Sequence, residues 1–246
     1  MVADGWNLRV GAIWGTLLSR HALDRRGVLI EVGPGLQDKI GLGLAACQFR
    51  GTLYIVEPNA RARRWVTARY RQLLPDAKII AIAQPIPSAT GQLPRCVEAL
   101  LMNHVFDDCL LFAMLPPQDR DRVFAEMRGG HSGHLEIPSR WRRLLDDEDA
   151  LRATGGRVVD DVARLLKHTQ PRVFGASQYR SWFQMEHGLT RVDHIGAEML
   201  HELELRTGAT SVSDGATLRH FGQQPDRWLV CDTHRALQGA NRRREE

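Results

Sequence analysis

The most informative stretch of this sequence is VLIEVGPG at residues 28–35. The run 28–32 is short and mostly apolar, and a glycine-proline-glycine turn stops it, which is typical of a buried parallel strand. Apolar residues then recur at helical spacing within 37–49, which predicts a helix directly after the turn. The stretch therefore predicts a strand–turn–helix unit, the beginning of an α/β fold.

The same alternation continues along the chain on both sides of residue 57. Residues 52–56 predict a second strand, Asn59 is a capping residue for a helix over 60–74, and 78–83 predict a third strand. This β-α-β-α-β order is the half-fold that forms a mononucleotide-binding crevice. The elements expected further along are a helix turning into a fourth strand within 96–105, a helix over 109–128 interrupted at Pro116–Pro117, strands at 172–176, 210–213 and 228–232, and a helix over 192–206.

The prediction is an α/β protein with a Rossmann-like, mostly parallel seven-stranded sheet and helices on both faces. We expect a single domain over 1–246, with an N-terminal helical cap at about 1–26. A glycine-rich polar loop followed by helical pattern predicts an inserted loop and helices at about 129–168, with a helix break at Gly155–Gly156.

Composition and charge narrow the class of protein. The chain has 246 residues, 43% hydrophobic and 25% charged, which are ordinary globular values. Its net charge of +4 comes mainly from arginines that alternate with acidic residues, so we expect a mixed-charge surface and no nucleic-acid partner. No long apolar run predicts a membrane span and no signal peptide is evident, so a cytoplasmic location is expected. The four cysteines are scattered, and no metal site is predicted.

The glycine turn and the acid that follows the second strand indicate a ligand-binding site. Gly33 and Gly35 let the backbone pass close to a ligand, and Glu57 is placed to accept hydrogen bonds from a ribose diol. Together with the strand order, these residues resemble the class I S-adenosylmethionine (SAM)-dependent methyltransferase superfamily, with its E/D-x-G-x-G motif and its acid ending strand two. The resemblance covers about residues 28–110.

The resemblance implies a SAM cofactor and a role for each matching residue. Gly33 and Gly35 would line the methionyl portion, with Glu31 near its end, and Glu57 would bind the ribose hydroxyls. The residues implied to border the adenine are Pro58, Asn59 and, after the third strand, Gln84.

A nicotinamide or flavin dinucleotide is the main alternative ligand. Such a site needs a helix N-terminus open to a diphosphate, usually with the pattern G-x-G-x-x-G. Here Asp38 occupies the third glycine position, where its carboxylate would repel phosphates. SAM carries no phosphate, so the sequence favours SAM.

Two segments after predicted strands hold candidate catalytic residues. Asn103 and His104 follow strand four, with Asp107 or Asp108 able to bind an amine or to orient the histidine as a general base. Tyr179 follows strand five, where its ring could face a sulfonium or bond to the substrate. The structural alternatives are that the aspartates cap a helix and that His104 packs in a wall. In the N-terminal stretch, Trp6, Arg9 and Trp14 could fold over the pocket, with Arg9 meeting a carboxylate.

The leading hypothesis is a SAM-dependent transferase, a methyltransferase acting on a small molecule in biosynthesis. One alternative is a SAM-consuming cyclase or aminocarboxypropyl-transfer enzyme that releases methylthioadenosine, like azetidine-2-carboxylate synthases, for which SAM alone is the substrate. Another is a non-catalytic SAM-binding subunit. The sequence leaves the oligomeric state open, with a homo-oligomer among the alternatives.

Overall fold

A computed structural model describes residues 5–120, 136–207 and 215–233. The helices and strands with described bounds are α1 (Gly5–Arg20), β1 (Val28–Val32), α2 (Lys39–Ala46), β2 (Thr52–Val56), α3 (Ala60–Leu73), β3 (Lys78–Ile82), α4 (Ile86–Ala89), β4 (Ala99–Asn103), α5 (Phe106–Met114), α6 (Glu136–Leu145), α7 (Glu148–Thr169), β5 (Val173–Ser177), α8 (Trp182–Glu186), α9 (Thr190–Thr207), α10 (Gly215–His220) and β6 (Trp228–Asp232). No described helix combines the length and apolar character that a membrane crossing requires.

The strands form one sheet in the order β3-β2-β1-β4-β5-β6. The first five strands of that order are parallel, and β6 runs antiparallel to β5. The mostly parallel α/β architecture predicted from the sequence is confirmed. The described residues contain six strands of the predicted seven, because 210–213 lies outside them. Strand order reverses between β1 and β4, and ligands of open α/β sheets bind at such a switch point.

Helices cover both faces of the sheet, as predicted. Alternate residues of β1 point to opposite faces, so Ile30 belongs to a core shared with α5, α7 and α9, whereas Leu29 belongs to a core shared with α1, α2 and α3. Both side chains are fully buried. The sheet is therefore the middle layer between two apolar cores, which explains why its central strands are so rich in aliphatic residues.

The start of β4 differs from the prediction. The predicted helical lead within 96–98 is wrong, because this backbone already pairs with its neighbours. Val97 N donates to Thr169 O at 3.1 Å, and Glu98 N donates to Val28 O at 2.7 Å. A backbone amide used between elements cannot also form the intrahelical bond, so the segment stays extended and β4 begins at Ala99.

The predicted insertion is largely a core helix. Residues 129–135 lie outside the described residues, but α7 buries Val158, Val159 and Val162 in the core beside the sheet. The predicted break at Gly155–Gly156 is wrong, since α7 continues through it. A Cβ on Gly155 would lie 3.7 Å from Met199 Cγ, so this glycine lies where α9 packs against the helix. The break instead precedes Asp147, whose side chain caps α7 by accepting from Ala150 N at 3.0 Å.

The N-terminal segment is helical over α1, which packs closely against α2. A Cβ added to Gly11 would lie 2.6 Å from Leu42 Cβ, so the glycine allows α1 to approach α2 closely. Trp14 is fully buried in the core. Among the residues that the sequence placed over the pocket, Trp6 and Arg9 in the first turns of α1 border a depression at the sheet edge.

Candidate active site

A cavity of about 260 Å³ opens at the carboxyl ends of β1, β2 and β4, beside the switch point. Its walls come from the loops after these strands, the start of α4, and the facing sides of α5 and α7. The lining residues are Val32, Gly33, Val56, Glu57, Pro58, Asn59, Pro85, Ile86, Pro87, Val105, Asp108, Cys109, Phe112, Ala113, Arg120, Val158 and Asp161. A mostly apolar crevice with a few convergent polar groups is typical of small-ligand sites.

The glycine turn lies where the sequence placed it, but the main constraint on Gly33 differs from the expected one. Gly33 and Gly35 have φ values of 63° and 62°, in the left-handed region that favours glycine. A Cβ added to Gly33 would overlap Val105 Cγ2 in the loop after β4. Gly33 is therefore required first by the packing of the chain on itself, and only secondarily by any ligand in the cavity that it lines.

Replacing Gly33 with alanine should lower the free energy of unfolding by about 2–4 kcal/mol, from the left-handed backbone and the overlap with Val105. Denaturant titration measures this change. The double variant Gly33→Ala/Val105→Ala should recover part of the loss relative to Val105→Ala alone. Gly156→Ala is the matched control, because a Cβ there meets nothing within 4 Å and helix propensity favours alanine. Equal stability of Gly33→Ala and the wild type would refute the close packing of the two loops.

Glu57 joins the two loops that follow β1 and β2. Its carboxylate accepts from Gly35 N through Oε2 and from Asn59 N through Oε1, each at 2.9 Å. The side chain lines the cavity and is 3% exposed. A carboxylate can accept about four hydrogen bonds in all, so a ligand hydroxyl is a chemically suitable partner for this group. Glu57 is thus a structural clamp as well as a candidate ribose acceptor.

The predicted adenine-side residues are divided between the cavity and solvent. Pro58 and Asn59 line the cavity, and Asn59 also caps α3 by accepting from Ala62 N at 2.9 Å. Gln84 is exposed and does not line the cavity, so the structure gives no support to its predicted position at the adenine edge. The next residues, Pro85 and Ile86, line it instead, because α4 begins at Ile86 and folds back over the opening. The proline-rich composition of 84–94 was the sequence feature that could have indicated that this segment lines the cavity.

Glu31 lies on the opposite side of the sheet from the cavity, and the structure does not support its predicted proximity to a methionyl group. It is 2% exposed, and its Oε1 accepts from the Tyr70 hydroxyl at 3.0 Å. Burial raises the pKa of Glu31 to about 8, opposed by the Tyr70 hydrogen bond and reinforced by the nearby carboxylates of Glu57 and Asp38. Glu31 is therefore mostly protonated at neutral pH, and its Oε2 has no hydrogen-bond partner among the described residues.

This shifted pKa predicts a pH-dependent contribution to stability. The folded-state pKa of Glu31 is about 8 against an ordinary 4.5, so its stabilising contribution is complete below pH 4.5 and lost as pH rises through 8. Each pH unit of increase between these values lowers the free energy of unfolding by at most about 1.4 kcal/mol. The stability of Glu31→Gln relative to the wild type should therefore increase from pH 5 to about 8. Denaturant titrations across pH measure this, and Glu198→Gln, at an exposed position of α9, should show no such trend.

The N-terminus of α2 is poorly suited to a diphosphate. Asp38, at the cap position, is buried and accepts from Arg69 Nε at 2.8 Å and from Asn7 Nδ2 at 3.1 Å. Gly41 N, in the first turn, donates to the Tyr70 hydroxyl at 3.1 Å. A phosphate would thus meet a carboxylate and an amide already in use, whereas phosphate sites need free amides and no anion. This arrangement supports the preference for a phosphate-free ligand.

His104 has the most unusual environment in the site. It follows β4 with φ of 52°, a left-handed conformation that is uncommon outside glycine, and its N–H donates to Ser177 O at 2.8 Å. Nδ1 lies 3.6 Å from Asp107 Oδ1. Nε2 is buried and has no hydrogen-bond partner among the described residues. Strained backbone and an unpaired buried nitrogen are both features that cluster at functional sites.

Two glutamines that the sequence analysis missed hold Asp107 in place. Asp107 accepts from Gln178 Nε2 at 3.1 Å and from Gln184 Nε2 at 2.8 Å. Each amide is oriented by a backbone N–H that donates to its oxygen, Phe106 N to Gln178 and Ser181 N to Gln184, both at 3.3 Å. The Ser-x-x-Gln spacing of 181–184 signals a capping box, which was the available clue to Gln184. Asp107 therefore faces His104 in a fixed orientation.

Asn103 organises the aromatic side of the site. Its Oδ1 accepts from Trp14 Nε1 at 2.9 Å and from Ser177 Oγ at 3.2 Å, and its Nδ2 donates to the Tyr179 hydroxyl at 3.1 Å. These bonds make Asn103 a positioning residue for Tyr179. The Tyr179 ring is 5% exposed, and its centroid lies 4.8 Å from that of His104. The structure thus brings together Asn103, His104 and Tyr179 at the ends of β4 and β5, although none of the three lines the cavity beside Glu57.

No protein-family model matches this chain, and no curated protein matches it. The solved structures that it partly resembles include the bifunctional kinase-methyltransferase WbdD, at 12% identity and a TM-score of 0.40, covering 74% of this chain and 31% of that chain. The methyltransferase domain of bacterial CtHen1-C is 12% identical, with a TM-score of 0.44 and coverage of 91% and 95%. This chain therefore spans about a third of WbdD. These similarities are too low to assign a family or an activity.

Proposed function

We propose that this protein is a SAM-dependent transferase that methylates a small molecule. The observation that carries the proposal is the cavity bordered by the glycine turn, Glu57 and Val105, together with the preceding residue His104, whose buried Nε2 has no hydrogen-bond partner among the described residues. A ribose acceptor and an oriented base at one sheet edge are the two groups that this reaction uses.

The residues present fit SAM. The cavity runs from Gly33 past Glu57 to the apolar segment 85–87, so a nucleoside would have the glycine turn at one end and prolines at the other. Glu57 is a chemically suitable acceptor for the ribose hydroxyls, and its charge complements a cationic ligand. Gly33 would adjoin the methionyl end. Among the described residues, no cluster of three or more His, Cys, Asp or Glu could hold a metal ion.

SAM supplies an electrophilic methyl carbon whose bond to sulfur breaks as an acceptor attacks, and the bonding electron pair stays on sulfur. His104 Nε2 takes the proton from the attacking group. Asp107 faces Nδ1, favours the tautomer that leaves Nε2 with a free lone pair, and stabilises the imidazolium that forms. Phe112 and Val105 provide apolar surface in the cavity, which limits access of water.

Calorimetric titration with SAM, followed by incubation with methyl-labelled SAM and a metabolite extract, tests the proposal. The expected result is SAM binding and label transfer to a small molecule, with S-adenosylhomocysteine as coproduct. Methylthioadenosine formed from SAM alone would favour the cyclase or aminocarboxypropyl-transfer alternative. Binding without turnover in any extract would favour a non-catalytic subunit, and absence of binding would reject the proposal.

A further inference from the structure

A second depression, of about 300 Å³, lies at the end of β5 and is bordered by Tyr179. It is lined by Trp6, Arg9, Tyr179, Arg180, Phe221, Gly222, Gln223, Gln224 and Arg227. Three guanidinium groups and three aromatic rings thus border it, and its described lining residues include no carboxylate. That composition differs sharply from the cavity beside Glu57, whose lining holds three carboxylates.

The charges around this depression do not cancel. The neighbouring carboxylate, Asp193, is 1% exposed and bonds to Arg227 through two nitrogens at 3.1 and 3.2 Å. It also accepts from Arg180 Nε, at 3.4 Å. One carboxylate therefore serves two guanidinium groups, and the two terminal nitrogens of Arg180 have no partner among the described residues. Arg9 is exposed and forms no ion pair with any described residue.

Aromatic rings form a rigid wall beside these free donors. The Tyr179 ring stacks on Trp228 with centroids 5.8 Å apart, and Trp6 meets Tyr179 edge-on at 5.4 Å. Trp6 is 37% exposed, so part of its ring is accessible from the depression. A planar group could pack against this wall while an attached anion reaches the arginines, since guanidinium groups recognise oxyanions through paired N–H donors.

We propose that this depression is the acceptor subsite and that it binds an oxyanion, a carboxylate or a phosphate monoester, carried on a planar group. Arg9 and Arg180 bind the oxyanion, and the exposed part of Trp6 packs against the ring. Tyr179 links this depression to the base, since its ring contacts both Trp6 and His104. The acceptor role rests on the proposed function, whereas oxyanion binding does not.

The test uses benzoate, phenyl phosphate and benzyl alcohol as probes, with affinities from ligand-observed NMR titration of the full chain. We expect each anion to bind at least about tenfold more tightly than benzyl alcohol, as one charge-assisted contact provides. Arg9→Gln/Arg180→Gln should remove this preference. The control Arg64→Gln/Arg71→Gln removes the same charge from exposed positions on α3 and should retain it. The stronger of the two anions distinguishes a carboxylate from a phosphate acceptor.

Parallel titration with SAM separates the two proposals. SAM binding with no preference for anions would overturn the subsite and leave the proposed function intact. A preference that the α3 control loses equally would also overturn it, since the effect would then be general charge. Anion preference without SAM binding would refute the proposed function and the acceptor role, and leave an oxyanion site. Circular dichroism of the variants excludes unfolding as the cause of a lost preference.

Discussion

Ala113→Trp should abolish detectable SAM binding, weakening it by about 100-fold or more. Ala113 lies on α5, is exposed, and lines the cavity beside Glu57. An indole at this position would occupy space that the nucleoside needs, and the exposed position allows the helix to accept it without core rearrangement. Calorimetric titration with SAM measures the loss.

The control for this substitution is Ala153→Trp. Ala153 is also an exposed helical alanine, on α7, and does not line the cavity. We expect this variant to bind SAM within about twofold of the wild type, and both variants to unfold at similar denaturant concentrations. If Ala113→Trp bound SAM normally while folded, the nucleoside would have to lie elsewhere and the proposed function would lose its site.

His104→Asn should lower the rate of acceptor methylation by about 10²–10⁴-fold while leaving SAM affinity almost unchanged, because it removes a general base and little else. Asparagine suits this position because it tolerates a left-handed backbone, so the φ of 52° is retained at low cost. Its shorter side chain places no basic nitrogen where Nε2 lies. Single-turnover formation of S-adenosylhomocysteine with the identified acceptor gives the rate.

Two comparisons make the histidine result specific. His201→Asn changes an exposed histidine on α9, and we expect it to retain the full rate. Gln184→Leu removes one of the amides that hold Asp107, so its rate should fall less than that of His104→Asn and its pH profile should shift. A full rate in His104→Asn would show that the acceptor needs no base from this residue, and would leave His104 as a strained structural element.

Much of the fold was predictable because it depends on local patterns. The aliphatic runs of β1 and β2, the turn at Gly33 and the cap at Asn59 each act within a few residues, so the sequence shows them directly. The candidate residues at the strand ends followed from the same logic, since carboxyl ends of parallel strands share one edge. The predicted helix break at Gly155–Gly156 was wrong. The packing of this helix against Met199 outweighs the low helix propensity of glycine.

What the sequence alone specified was the order of elements, the crevice, and the polar residues that follow β1, β2, β4 and β5. The tertiary structure alone showed that Glu31 faces away from the cavity, that Gly33 is constrained by Val105, and that two glutamines orient Asp107. These relations join residues that are distant in sequence, and their energies depend on burial and on hydrogen-bond direction. Burial and hydrogen-bond direction are defined only once both helix layers have packed against the sheet.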